Sequence, residues 1–444
     1  METPTRQMLQ SPKNPKISNV ERFISFLKDN PSVRFIRLQW LDYTATLRGR
    51  IIPKDVAFGM FTNQKSIGIT ISVFGLLQQD QIVEGYSPVG EYELIPCFEG
   101  LRLGERKGYA TVQGEFRAKD GSQVLICPRT ALSRIVETAE KKGLSFLVGF
   151  ELEVVFMTIE GESLSHTHSW SNTAALHNPA IMDVIEEIVA KLERSKIKVE
   201  QFHPESAPGQ YEFVTGPLPP LESVDALLAA RDIICAVAEK HKLRATFIPK
   251  PFPQACGTGA HVHISMTPDN NYKSFYAGVL AHLRSILAFT YSNTCSYERM
   301  QDSVWSGGQY VAWGSQNRET PLRKIEDSHW EFRCMDGFAN SYLAMAAILG
   351  AGIEGIMDKR SLIIEDCQGD PALMHGKIRS ELGIVETLPK TLEVAMTYLD
   401  KDKELRRVLG DTLVDTYLAI KETEIEMLKS MKEEERRKFL LERY

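Results

Sequence analysis

The chain has 444 residues, long enough for a large core and more than one domain, and its formal charge of −6 arises from mixed signs, without a basic footprint for nucleic acid or membrane. Its seven cysteines are scattered, odd in number and never in a CxxC pair. That usage fits reduced thiols in the cytoplasm better than a disulfide framework, and no zinc-ligand spacing occurs.

Residues 1–16 are polar and proline-bearing, without an apolar run, and read as a disordered lead and not a signal peptide. Helical periodicity from Val20 to Lys28 gives way to VRFIRLQWLDYTATLRGRIIP, whose β-branched and aromatic residues predict a hairpin. Strand-like sequence broken by glycine and proline continues to Val124, so residues 17–126 read as a small β-rich first domain and 127–444 as a second. Pro128 stands at the first position of an amphipathic helix that Gly143 closes. The stretch GFELEVVFM, 149–157, reads as a strand. A polar loop with His166 and His168 follows, then a helix over 181–196, a strand over 197–202, a helix over 224–241, a strand over 245–248 and another in CGTGAHVHISM. The longest apolar segment, 341–357, is too short to read as a membrane span and is taken as a buried helix, whereas the charged EMLKSMKEEERRKFLLERY reads as an exposed one.

Side chains alternate along a strand, so Glu151 and Glu153 face the same way; an edge strand with a solvated acidic face fits that pattern as well as a binding site does. In HPESAPGQYEF, Glu212 sits in a strand-like window, and Glu205 precedes a Pro-Gly turn that can fold it back toward the same space. His261 and His263 share a face by the same rule, although a single strand histidine is more often structural than a ligand. Glu331 and Arg333 likewise share a face. Oxygen-dominated ligand sets select Mg²⁺ or Mn²⁺ over zinc, and arginine forks such as those of Arg299, Arg318, Arg323 and Arg333 bind carboxylate and phosphate. Acids and arginines together suggest a metal-bound nucleotide triphosphate beside an anionic substrate, yet neither a Walker loop nor GxGxxG is present.

GFELEVVF, EQFHPESAPGQYEF, GTGAHVHISM, NRETPLRK, EFRCMDGFANSYLAMAAILGAGIEGI and LPKTLEVA resemble, in order, the motifs of the glutamine synthetase family, over about 17–424. The resemblance implies an α+β chain: a small β-grasp-like N-terminal domain followed by a large α/β catalytic domain, in homo-oligomeric rings whose active sites form between subunits. It implies ATP and two Mg²⁺ or Mn²⁺ ions, one held by Glu153, Glu205 and Glu212, the other by Glu151, His261 and Glu331. Glu200, His263 and Ser265 would line the nucleotide, Arg318 and Arg323 its phosphates, and Gly257, Arg299, Arg318 and Arg333 would position an amino-acid carboxylate; Arg318 and Arg333 are the expected catalytic pair.

The chain departs from the family where ammonium is handled. The family's ammonium-binding Asp would fall near Asn63, and no Glu occurs between Glu298 and Glu319, where a closing loop carries one; Trp305 or Ser306 stands there instead. Cys256 replaces an Asn, NPYL reads NSYL at Asn340 to Leu343, and His329 replaces a basic residue. Metal and phosphoryl machinery is kept while both acids serving ammonium are missing. The expectation is therefore a ligase forming a γ-glutamyl amide with an organic amine, Trp305 offering that amine an apolar wall. A glutamine synthetase using another acid such as Asp302, or a catalytically silent scaffold, is the alternative. Retained buried carboxylates argue against the scaffold, because without a metal they repel one another.

Overall fold

A computed structural model of the protein describes residues 18–164, 169–303 and 306–444, so His166, His168 and Trp305 lie outside the described residues. The first helix, Asn19–Asp29, opens on a capping box in which the Ser18 hydroxyl accepts from Glu21 N and the Glu21 carboxylate accepts from Ser18 N at 2.8 Å. Strands β1 (Phe35–Leu41) and β2 (Leu47–Pro53) form the expected hairpin. With β3 (Ile67–Thr70), β4 (Glu91–Pro96), β5 (Arg102–Leu103) and β6 (Tyr109–Arg117) they make a six-stranded sheet ordered β2-β1-β6-β4-β3, β5 lying beside β6. Only β1 and β6 run parallel in it.

One helix in this part, Lys54–Thr62, departs from the strand-like reading. Its aromatic and β-branched residues favour strand locally, but Ala57 and Phe61 are buried while Gly59 midway between them is exposed, whereas a strand would set all three on one face.

The second sheet has eight strands: β7 (Ser145–Thr158), β8 (Val199–Pro204), β9 (Gln210–Thr215), β10 (Leu243–Thr246), β11 (Ala260–Thr267), β12 (Trp313–Ser315), β13 (Leu322–Lys324) and β14 (Trp330–Phe332). Their order is β12-β13-β14-β11-β7-β9-β8, with β10 also on β7, and every pair but β12/β13 is antiparallel. Phe150, Leu152, Val154 and Phe156 of β7 and Val262, Ile264 and Met266 of β11 are buried on one face. The helix Pro220–Lys240 packs against β7, and the largely apolar helix Ser341–Met357 is buried among its neighbours. Asn340 caps that last helix, accepting from Tyr342 N and Leu343 N, and its amide donates to Asp42 O at 2.8 Å, tying the second region to the first.

The charged C-terminal run keeps most of its charged residues exposed, as its composition suggests, but it is not solvated all round. Helices Asp411–Ser430 and Glu433–Leu441 carry it, and Phe439, Leu440, Leu441 and Tyr444 are buried against Val155, Met157 and Phe338. Four apolar residues among many charges decide its placement, because only they gain from leaving water. The Tyr444 hydroxyl donates to Thr44 O and accepts from Gln78 at 2.9 Å, while its backbone carbonyl accepts from Phe247 N at 3.0 Å. Residues of both sheet regions thus meet on one residue. No helix among the described residues is long and apolar enough to cross a membrane.

Candidate active site

The face of the second sheet opposite its apolar layer carries the acids. Cross-strand register sets them in rows: Glu153 of β7 is opposite Glu212 of β9, which is opposite His203 of β8; Glu151 is opposite His261 of β11; His263 is opposite Glu331 of β14, and Glu331 is opposite Arg323 of β13. Directly opposed residues share a face, so register alone brings these side chains together. Glu205 joins them from the turn after β8. There Gly209, with φ +72°, lets the chain close so tightly that its carbonyl accepts from Phe156 N at 2.8 Å.

His261 is central. Its Nδ1 lies 2.9 Å from Glu151, 3.4 Å from Glu331 and 3.7 Å from Glu153. The Arg299 guanidinium approaches its Nε2 at 2.9 Å and also donates to the Tyr291 hydroxyl at 2.7 Å. A guanidinium can only donate, so Nε2 accepts and Nδ1 carries the proton toward Glu151. Glu153 accepts from the Gln210 amide at 2.7 Å and from Gly259 N at 2.8 Å. His263 bridges Glu151 (2.9 Å) and His329 (2.9 Å). Arg333 and Arg323 clamp the two oxygens of the fully buried Glu331, Arg323 at 2.9 Å.

Electrostatics divides the carboxyls. Burial works against the Glu151 carboxylate, but hydrogen bonds from His261 and His263 outweigh it and hold it well below the usual range. Burial likewise opposes the Glu331 carboxylate, which Arg333 keeps below its ordinary value. Glu212 is pushed well above by burial and then by the charges of Glu151, Glu153 and Glu205; Glu153 is raised by burial too. The cluster therefore holds more anionic capacity than its own cations compensate, which is what a site for added positive charge requires. Among the described residues three groups place donor atoms within 4.8 Å of one another: Glu151, Glu212 and His261; Glu151, His263 and Glu331; and His203, Glu205 and Glu212. Carboxylate oxygens with an occasional imidazole suit Mg²⁺ or Mn²⁺.

These groupings divide the acids otherwise than the expected split. Glu153 belongs to none of them, being turned to Gln210 and Gly259, and His203 takes a place beside Glu205 at 3.2 Å. Neither Gln210 nor His203 was singled out from sequence. Gln210 lies two residues before Glu212, so strand alternation put it on the acidic face; His203 becomes visible only through its pairing with Glu212.

The remaining candidates border the cluster. Arg299 is on the short helix Ser296–Arg299, and its side chain lies over Gly257, where a Cβ would meet Arg299 Cγ at 2.5 Å. Arg318, exposed in the turn between β12 and β13, makes no ion pair with any described residue, and burial and then the charges of Arg323 and Arg333 lower its pKa. Ser265 shares the face of His261 and His263. Glu200 is the extra residue at a bulge in β8, exposed and paired with Lys198 at 2.9 Å. Asn63 ends the first-region helix, its amide turned back to Gly59 O at 2.6 Å. Ser306 closes a turn on Gln301, and Asp302 lies among the charges of Asp370, Lys390 and Arg379.

A largely antiparallel sheet thus gathers acids, imidazoles and arginines on one face and follows a smaller sheet, the arrangement of a mixed α and β chain with a candidate cation site. The chain belongs to the glutamine synthetase family, whose catalytic-domain model matches residues 125–439. Protein fluG of Emericella nidulans is 39% identical over 440 residues, 97% of this chain, and this chain spans 51% of fluG's length. The Gamma-glutamylpolyamine synthetase GlnA3 of Streptomyces coelicolor is 32% identical over 362 residues, covering 76% of this chain and 77% of that protein. A GmaS/ADP complex matches with a TM-score of 0.81 at 25% identity, over 94% of this chain and 99% of that one.

Proposed function

We propose that the chain is an ATP-dependent ligase that joins the side-chain carboxylate of glutamate, or of a related acid, to an organic amine. The observation that carries this reading is the surplus of buried carboxylates bordered by Arg299, Arg318, Arg323 and Arg333 on one sheet face. Two divalent ions, held by Glu151, Glu153, Glu205, Glu212, His261 and Glu331, would neutralise phosphate charge. Arg299 and Arg333 offer forks to the acid's carboxylate, and Arg318, in no ion pair among the described residues, with Arg323 offers them to the phosphates of ATP, alongside Glu200, His263 and Ser265.

In the reaction the acid's carboxylate oxygen attacks the γ-phosphorus, the bond to ADP breaks, and an acyl phosphate forms. The amine then attacks the acyl carbon and phosphate leaves; starting from the ammonium form, each amide made releases a proton. Exclusion of water by the buried floor of the site protects the acyl phosphate from hydrolysis.

Amine rather than ammonia is favoured by the absence of an acid at Asn63 and between Glu298 and Glu319, and by the setting of Asp302 among Asp370, Lys390 and Arg379. Similarity to a γ-glutamylpolyamine synthetase supports the same choice. Seven free thiols support a reducing, cytoplasmic setting, and family membership supports a homo-oligomeric ring with sites at subunit boundaries. Phosphate release from ATP with Mg²⁺ and glutamate, compared between ammonium and a panel of primary amines, tests the reading. Amine-dependent release well above that with ammonium is expected; none from any amine overturns it.

A further inference from the structure

Trp170 has no place in the reading above, yet it is 59% exposed at the rim of the acidic cluster. Its position is built. Asn172 N donates to Ser169 O at 3.1 Å and the Asn172 amide to the Ser169 hydroxyl at 3.1 Å, closing a turn in which Ser171 has φ +51°. Ser171 N donates to Pro204 O at 2.9 Å, which fastens that turn to the end of β8, one residue before Glu205. The indole meets the His203 imidazole edge to face, with centroids 6.5 Å apart and planes at 81°. His203 in turn is 3.2 Å from Glu205 and 4.0 Å from Glu212. An electron-rich ring thus borders, through His203, a concentration of carboxylates.

We propose that Trp170 is the specificity-determining residue for the amine, a platform on which a primary alkylammonium lays its carbon chain while its nitrogen points toward Glu205 and Glu212. This rests on the amine-ligase reading and names the class of amine. Two attractions act on such a ligand. The acidic cluster and the face of the indole draw any cation, ammonium included; the indole adds apolar contact that grows with the carbon chain and that ammonium cannot collect. Discrimination against ammonium then lies in the ring, and it needs no acid at Asn63. The fastening of Ser171 to Pro204 holds the ring in place before the ligand arrives, so little ordering is needed on binding.

The test compares the full-length enzyme with Trp170→Ala and Trp170→Phe, using ammonium, methylamine, butylamine and 1,4-diaminobutane as nucleophiles. For the wild type, amine KM should fall from methylamine to butylamine. Trp170→Ala should raise the butylamine KM about tenfold or more, Trp170→Phe should recover much of that loss, and KM for ATP and glutamate should stay within about twofold. An unchanged butylamine KM in Trp170→Ala, with the wild type using butylamine well, overturns this inference and leaves the ligase reading standing. Equal rises in KM for ATP, glutamate and amine overturn it as well, since they mark a structural role. A wild type that uses no amine better than ammonium removes the reading and this inference together.

Discussion

Gly259 leads into β11 with its backbone against the site, and a single methyl group there tests how tightly the cluster is held. A Cβ at this position would lie 2.6 Å from His261 Nε2, 2.7 Å from the Arg299 guanidinium and 3.0 Å from the Glu153 carboxylate, where about 3.4 Å is ordinary contact. The shortfall against His261 is about 0.8 Å, and the three groups cannot yield independently, because Arg299 donates to His261 and Gly259 N donates to Glu153. The backbone at Gly259 is not in the left-handed region, and alanine keeps the N–H, so the effect of Gly259→Ala is one of space alone. Overpacking of this size costs about 1–3 kcal/mol of stability. Displacement of catalytic groups by close to 1 Å lowers turnover by roughly a hundredfold. Gly59→Ala, in a helix with nothing within 4 Å of the added atom, is the control and should be neutral or slightly stabilising. Steady-state phosphate release and urea midpoints measure both effects. Turnover of Gly259→Ala within about twofold of wild type would refute the argument that Arg299, His261 and Glu153 form one rigid set.

Glu212→Gln keeps the shape of a residue whose acid is pushed up by burial and its neighbours, so the apo protein should be no less stable, while the rise in melting temperature on adding Mn²⁺ should shrink by half or more and phosphate release should cease; a wild-type Mn²⁺ shift would remove Glu212 from the metal site. Burial pushes the Asp336 acid up to about 6, so the fold favours its protonated form: stability is gained as pH falls through 6 and forfeited above it. Asp336→Asn should therefore stabilise at pH 8 by up to about 3 kcal/mol and confer no gain near pH 4, and a gain equal at both would contradict the sign. Tyr444→Ala removes a ring packed on Phe338 at 4.8 Å and the hydroxyl that reaches Thr44 and Gln78, and should cost about 3–5 kcal/mol by urea denaturation; a loss under about 1 kcal/mol would show that end of the chain to be dispensable. Light scattering on active protein should give a multiple of the chain mass, and a single-chain mass would place a complete site within one chain.

Strand alternation made the common facing of Glu151 with Glu153 and of His261 with His263 legible, and the helix Ser341–Met357 has the bounds its apolar run suggested. What alternation cannot supply is register between strands. That Glu212 opposes Glu153 and also His203, or that Arg323 opposes Glu331, depends on which residues of two strands pair across the sheet, which neither strand's own alternation states, and so His203 is not legible in the sequence. The helix Lys54–Thr62 was hidden by strand-forming residues, and the burial of Phe439 to Leu441 by the charges around them. In both, packing outweighed local composition.

Register has one more consequence, for the molecules that fold wrongly. A slip of β11 by one residue against β7 would turn His261 and His263 into the layer now filled by Val262, Ile264 and Met266 and expel those three toward the acids. Imidazoles would lose their carboxylate partners and apolar groups would lose their burial in the same event, so the slipped arrangement has nothing to hold it. Chains that miss the pairing should be recovered as unfolded or aggregated material and not as soluble, well-packed, inert protein. In a preparation of this enzyme the folded fraction and the fraction with an assembled cluster should therefore coincide.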